Sequence, residues 1–498
     1  MTTARTAGED IQALAKGGRT NVLGFVLRLA ARIPFLLIAG RLYGPEALGR
    51  FAYAILLVEF AAQLGSLGLR RGLAELLSKE DRPHAHIIAD CLLAALVASA
   101  LGAAFWIAVP QFLFPNSGIN GLDRFLPLAI CAIVTTDIAL SALAYKFDIL
   151  STVRARAVVE PWTISIAAGV FYFYSARDGL ILAYVTSLAA ALVFALWPLW
   201  RSYGLPRGWR PSPRRSLSIV RRNLPLAAAD AAEWGSRRLD LAILGLFASP
   251  AVVGIYYVAQ QVASLPQKLK TSFDPILGPV ITRNLQTQNY PEIAKQVGQV
   301  GFWIIAAQAG IALALGIPGE AVLGLAGPEF ASGAMALTFL LAAEVAAATA
   351  VVSESALVYM ARHRNLLISI GMLAVQALVS IGLIILVGDL PIKPEHLGLY
   401  QAAAVACGLT ISLGIGSIIK SRFLSHLLER KIRIWRWTLL IAVAAAALLG
   451  ATIVQVPARF EWVELTIGIP AILGLYGWII WRWGFGPEDR VLFGKKPN

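Results

Sequence analysis

Apolar residues along this chain are gathered into long blocks separated by short polar stretches. Fourteen blocks can be drawn, at about residues 20–42, 45–69, 85–109, 124–146, 157–175, 179–200, 223–247, 250–272, 298–317, 332–360, 365–387, 396–419, 436–455 and 462–483. Each has close to the roughly 20 residues that a helix needs to cross about 30 Å of hydrocarbon. The pattern predicts an all-α, polytopic membrane protein of about fourteen transmembrane helices. The first two blocks meet at a tight Tyr43-Gly44-Pro45 corner. Arg28 and Arg32 lie well inside the first, one helical turn apart and on one face. At about 1.5 Å per residue both sit near the midplane, where an arginine costs about 2.5–3.5 kcal/mol to insert. Two such charges on one face imply a polar interior.

Composition agrees. The chain is 58% hydrophobic and 14% charged, too apolar for a soluble protein of 498 residues. The N-terminal stretch has no apolar core, and block 20–42 is too long for a cleaved signal peptide, so the first span is expected to be retained. Cys91, Cys131 and Cys407 stand alone inside apolar runs, so neither a metal spacing nor a disulfide framework is present. No cofactor motif is found.

The net charge of +14 raises nucleic acid as a partner, and its placement argues against one. With the N-terminus inside, 33 of the 43 lysines and arginines fall in the inner segments, five in the outer ones and five within spans. That bias places both termini in the cytoplasm and turns the charge toward anionic lipid headgroups. The outer gaps are too short to hold an extracellular domain. Inner segments near 283–297 and 421–434 are expected to be short amphipathic helices in the interface.

An internal repeat organises the rest. Pro45-x3-Gly49-x-Phe51-x2-Ala54 recurs as Pro250-x3-Gly254-x-Tyr256-x2-Ala259, and at the same offset Arg32 falls on Arg237. Six spans separate the copies, so the halves share one orientation, a common transporter plan. The expected domains are an N-lobe of six spans (1–201), a basic linker (202–222), a C-lobe of six spans (223–419) and two further helices with a tail (420–498). Several prolines, among them Pro127, Pro161 and Pro225, are expected to kink spans around a cavity.

Charges inside spans mark the candidate site. Besides Arg28 and Arg32, the seventh block holds Asp230, Glu233, Arg237, Arg238 and Asp240. They read either as a self-neutralised helix, with Glu233 and Arg237 at the favourable i,i+4 spacing, or as the wall of a hydrated cavity. Arg50 lies about 7 Å into its span, within snorkelling reach of the surface. Glu59, Asp137 and Glu344, also within spans, join Asp230, Glu233 and Asp240 as candidates to load and release a proton or hold a cation.

The stretch LIAGRLYGPEALGRFAYAILLVEFAAQLGSLGLRRGLAELLSK resembles the polysaccharide transporter (oligosaccharide flippase, Wzx-like) family, as does GIYYVAQQVASLPQKLKTSFDPILGP at 254–279. That family shares a superfamily with multidrug/toxin antiporters and peptidoglycan lipid flippases. The resemblance implies two lobes around a central cationic cavity open alternately to each side. It implies a polyprenyl-diphosphate-linked oligosaccharide as substrate, whose diphosphate the arginines of the first and seventh spans, Arg28, Arg32, Arg237 and Arg238, would contact; Arg50 of the second span is a further substrate-binding candidate. It further implies a bacterial inner-membrane flippase for O-antigen, capsule or exopolysaccharide, coupled to H⁺ or Na⁺ and working beside polysaccharide polymerase machinery. The alternative is a multidrug-type antiporter, expected to carry an acidic, apolar cavity without midplane arginines. A membrane-embedded enzyme would need a substantial catalytic loop, and none is present.

Overall fold

The structure, a computed structural model, describes residues 33–79, 82–271, 281–432, 434–455, 461–486 and 489. Every expected block coincides with helix, the first from Ile33 onward and the seventh in two pieces. Nine helices among the described residues are long and apolar enough to cross a membrane. The chain is an all-α polytopic membrane protein.

Two compact units divide the described residues, with the division between Gly254 and Ile255. The first unit contains α1 (Gly44–Gly65), α2 (Leu69–Lys79), α3 (His84–Ala108), α4 (Ala129–Tyr145), α5 (Glu160–Tyr172), α6 (Gly179–Tyr203), α7 (Pro213–Ser236), α8 (Leu239–Phe247) and the start of α9 (Pro250–Thr271). Within it, α7 is tied to the helices before it. Arg71 Nε lies 3.1 Å from Asp230 Oδ1, and Arg222 Nη2 lies 2.8 Å from Glu75 Oε1. Gly72 lets Asn223 in so closely that a Cβ would come within 2.0 Å of its Oδ1. α2 is itself an amphipathic helix beyond the expected end of span two. Leu69, Leu73, Leu76 and Leu77 are buried at helical spacing, while Arg70, Arg71, Glu75 and Lys79 stay exposed.

The stretch expected as a linker is helical from Pro213 onward, a residue suited to the first helical turn. The part before it is pinned to α3. Buried Asp90 accepts from Trp209 Nε1 at 2.8 Å and pairs with Arg82 Nη2 at 2.9 Å.

The second unit contains α10 (Tyr290–Gly316), α11 (Ala334–Met360), α12 (Arg362–Gly388), α13 (Pro394–Leu427), α14 (Trp437–Ile453) and α15 (Ile469–Ile479). Its core joins Phe302 and Trp303 of α10 to Val352, Leu424, Ala442 and Tyr476. Residues 290–297 and 421–427 are not separate interfacial helices. They continue α10 and α13: Pro291 falls in the first turn of α10, where its missing N–H costs nothing, and extending a formed helix through Gly298 and Gly301, or on from Gly414 and Gly416, is cheaper than starting a new nucleus. Gly408 brings α13 against Ser380 of α12.

Wide, π-helical turns occur at Ala39–Tyr43, Arg154–Val159, Glu464–Gly468 and Ile480–Gly484. The first three end two residues before a proline: Pro45, Pro161 and Pro470. Proline gives no N–H to the carbonyl four residues back, and its ring collides with that carbonyl. At Pro161 and Pro470 that carbonyl (residue 157 or 466) lies inside the wide turn, which moves it aside; at Pro45 the chain has already turned out of the helix at Gly44, φ 75°, and the proline sits in the first turn of α1.

Candidate functional site

The seventh span is broken where its arginines stand. α7 ends with Arg237 as its C-cap, and α8 begins after Arg238, with Asp240 in its first turn. Cations at a helix C-terminus and an acid at the next N-terminus complement the two dipoles, at about 0.3–1 kcal/mol each. Arg237 is exposed. Arg238 lies over the Trp234 ring at 5.2 Å, and its Nη2 is 3.6 Å from Glu59 Oε2 on α1. Non-helical backbone at membrane depth is tolerated where it lines a cavity or is buried in protein.

Glu59 opens onto a cavity of about 490 Å³ enclosed by α1, α4, α5, α6 and the turn before α5. Gln63, Arg70, Asp137, Arg156, Glu160 and Tyr184 also line it. That is ample room for water to reach its charges. Arg156 is the hub. Its Nη1 donates to Glu160 Oε2 at 2.6 Å, and its Nη2 donates to Asp137 Oδ1. Tyr184 OH donates to Glu59 Oε1 at 3.5 Å. Three carboxylates thus share one wet space, with Arg156 answering two of them and Arg238 the third. Arg156 counts as an inner-loop residue by the edge of its apolar block, and the structure brings it into the cavity because helix starts earlier, at Ile149. Local signals were the i,i+4 spacing of Arg156 and Glu160 and Pro161 behind them.

The other candidate residues lie elsewhere. Arg50, 7% exposed, is held in a buried ion cluster. It pairs with fully buried Asp123, its Nη1 lies 3.7 Å from Asp178 Oδ1, its Nη2 donates to Gly118 O at 3.2 Å, and its guanidinium lies 4.5 Å over Phe114. Asn120 completes the cluster, donating from its backbone to Asp123 and from Nδ2 to Asp178, both at 2.8 Å. Asp230 is paired with Arg71. Asp240 is buried on α8, and Glu344 is half-buried on α11 in the second unit. Arg28, Arg32 and the Glu233 side chain lie outside the described residues.

Removing one partner of a buried pair costs about 3–5 kcal/mol, because the other charge is left uncompensated. Arg50→Met is therefore expected to lower the melting temperature of the detergent-purified chain by about 3–5 °C, at about 1 °C per kcal/mol for a chain of this length. An unchanged melting curve would show that the cluster holds nothing together.

Residues 16–315 match the family described as polysaccharide biosynthesis protein. No curated protein matches in sequence. Among solved structures, the lipid II flippase MurJ in an inward closed conformation superposes with a TM-score of 0.69 at 12% identity, over 93% of this chain and 99% of that one. An inward-facing multidrug resistance MATE family transporter of the MOP superfamily gives 0.63 at 14% identity, over 81% and 99%. A MOP superfamily transporter from Pyrococcus furiosus, described as having a binding pocket of reversed polarity, gives 0.54 at 15% identity, over 85% and 97%. At these identities the likeness is one of fold.

Proposed function

Because the chain belongs to the polysaccharide biosynthesis protein family, we propose that it is a flippase carrying polyprenyl-diphosphate-linked oligosaccharide across the bacterial inner membrane, for assembly of a surface polysaccharide. The observation that carries this reading is the arginine pair at the break in the seventh span, beside a hydrated, charged cavity within an apolar bundle. An anionic diphosphate needs fixed cations in a low-dielectric setting, and arginine's planar fork fits phosphate oxygens. Alternating access then requires only rocking of one bundle against another. The positive-inside bias supports cytoplasmic termini. The fold likeness to a lipid II flippase supports a lipid-linked cargo, and the likeness to a MATE transporter keeps a drug antiporter as the second reading.

Deleting the gene tests the choice. The flippase reading expects surface glycan to be lost and lipid-linked precursor to accumulate inside, with drug sensitivity unchanged. Normal glycan together with new drug sensitivity would give the antiporter instead.

Glu59 and Asp137 are the proposed coupling carboxylates. One can take up a cation or proton while Arg238 or Arg156 is drawn elsewhere, which makes the ion pair the latch that the gradient works against. Asp137→Asn is expected to slow export about tenfold and to remove its response to a collapsed proton or sodium gradient, measured as precursor flipped in vesicles. Export that remains gradient-dependent in this variant would take Asp137 out of the coupling.

A further inference from the structure

The amino-terminal turns of α7 carry two arginine doublets, Arg214-Arg215 and Arg221-Arg222, seven residues apart and so two turns along one helix. The structure splits each doublet the same way. The second members are committed to carboxylates: Arg215 Nη1 lies 3.8 Å from Asp90 Oδ2, and Arg222 Nη2 lies 2.8 Å from Glu75 Oε1. The first members, Arg214 and Arg221, are exposed and have no ion-pair or hydrogen-bond partner among the described residues. Together with Leu217, Ser218 and the edge of Arg222, they line a groove of about 580 Å³.

We propose that this groove is a docking site for the diphosphate head of a polyprenyl-linked substrate, at which cargo waits before it reaches the arginines of the span. The proposal rests on the flippase reading. Two exposed guanidinium groups on one helix face, neither with a counter-charge among the described residues, offer a multiply charged anion two cations to bridge. Seven residues at about 1.5 Å set their backbones about 10 Å apart, within reach of one shared head group. The same side of the helix leaves Leu217 50% exposed and Leu224 57% exposed. Leucines beside paired arginines serve a ligand with both phosphate and hydrocarbon, which a soluble anion lacks. The charge bias places this end of α7 at the cytoplasmic surface, the side from which cargo would be taken. α7 then leads from the groove to Arg237, 16 residues and about 24 Å further along.

Binding of labelled undecaprenyl diphosphate is measured on the full-length chain in detergent. Arg237→Ala and Arg238→Ala are already present, so that the seventh-span pair contributes nothing. Adding Arg214→Ala and Arg221→Ala is expected to weaken binding at least tenfold, whereas removing two other exposed cytoplasmic charges, by Arg201→Ala and Arg430→Ala, leaves it unchanged. Because all four positions are exposed, melting curves should coincide. Neither inorganic pyrophosphate nor dioleoyl phosphatidylglycerol should compete within tenfold. Equal competition by phosphatidylglycerol would make the groove an ordinary lipid-headgroup surface, and equal competition by pyrophosphate a simple anion site; either overturns the proposal. Undiminished binding after loss of Arg214 and Arg221 also overturns it, and the flippase reading survives if gene deletion still abolishes glycan export. Glycan export untouched by gene deletion would sink that reading, whatever the groove binds.

Discussion

Replacing Arg237 and Arg238 together by alanine is expected to abolish glycan export, by at least about a hundredfold, while leaving the amount of chain in the membrane unchanged. Hydrogen bonds to charged groups contribute about 1.5–3 kcal/mol each, so losing two arginine contacts to a diphosphate removes about 3–6 kcal/mol, or about 10²–10⁴ in affinity. The structural cost should be small. Arg237 is exposed, and the helix-end term it supplies is at most about 1 kcal/mol. Arg238 also holds Glu59, so its loss frees a carboxylate at the cavity. Lysine at both positions keeps the charge and discards the fork, and should restore part of the export. Precursor flipping by the double-alanine chain at the wild-type rate would end the role assigned to this break.

Gly49→Leu is expected to be as damaging by another route. A Cβ at Gly49 would lie 1.7 Å from Pro250 O and 2.5 Å from Gly254 N, while one at Gly254 would lie 2.0 Å from Pro45 O. The contact is reciprocal: the proline turn of each repeat copy sits on the glycine of the other. In a membrane, helices gain attraction by such close backbone approach. A leucine must force α1 and α9 apart, and overpacking alone costs about 1–3 kcal/mol. Both Gly49→Leu and Gly254→Leu should lose at least about a hundredfold of export and much of the folded chain, with Gly49→Ala between them and wild type. Gly102→Ala, with nothing within 4 Å of its Cβ, should be silent. Full export by Gly49→Leu would mean that this crossing can open without consequence. The measurement is surface glycan set against the amount of chain that runs as one species in gentle detergent.

The spans were readable because hydrocarbon imposes one length and one chemistry on every helix that crosses it. The repeat was readable for a related reason: a proline and a glycine at fixed spacing are what two helices need in order to start together and touch. The break at Arg237 and Arg238 was marked only by the Gly235-Ser236 pair before it and the dipole match with Asp240 after it, both weaker signals than a proline. Arg50 could be placed by depth alone. Its partners Asp123 and Asp178 come from loops distant in the chain, and pairing across loops leaves no periodic trace. Arg156 was hidden by the edge of an apolar block, because hydropathy marks where lipid begins and not where a helix does. The cavity it centres is assembled from α1, α4, α5 and α6, a meeting that no single stretch of sequence encodes.

The wide turns before Pro161 and Pro470 bear on how such a chain articulates. A sharp hinge in hydrocarbon normally strands peptide groups without partners, at several kcal/mol each. A turn one residue looser keeps nearly all of its bonds and still lets the segments on either side tilt. Proline fixes where that looseness sits in these two helices. One of the two carries Arg156, so a tilt there would carry a charge along with the backbone.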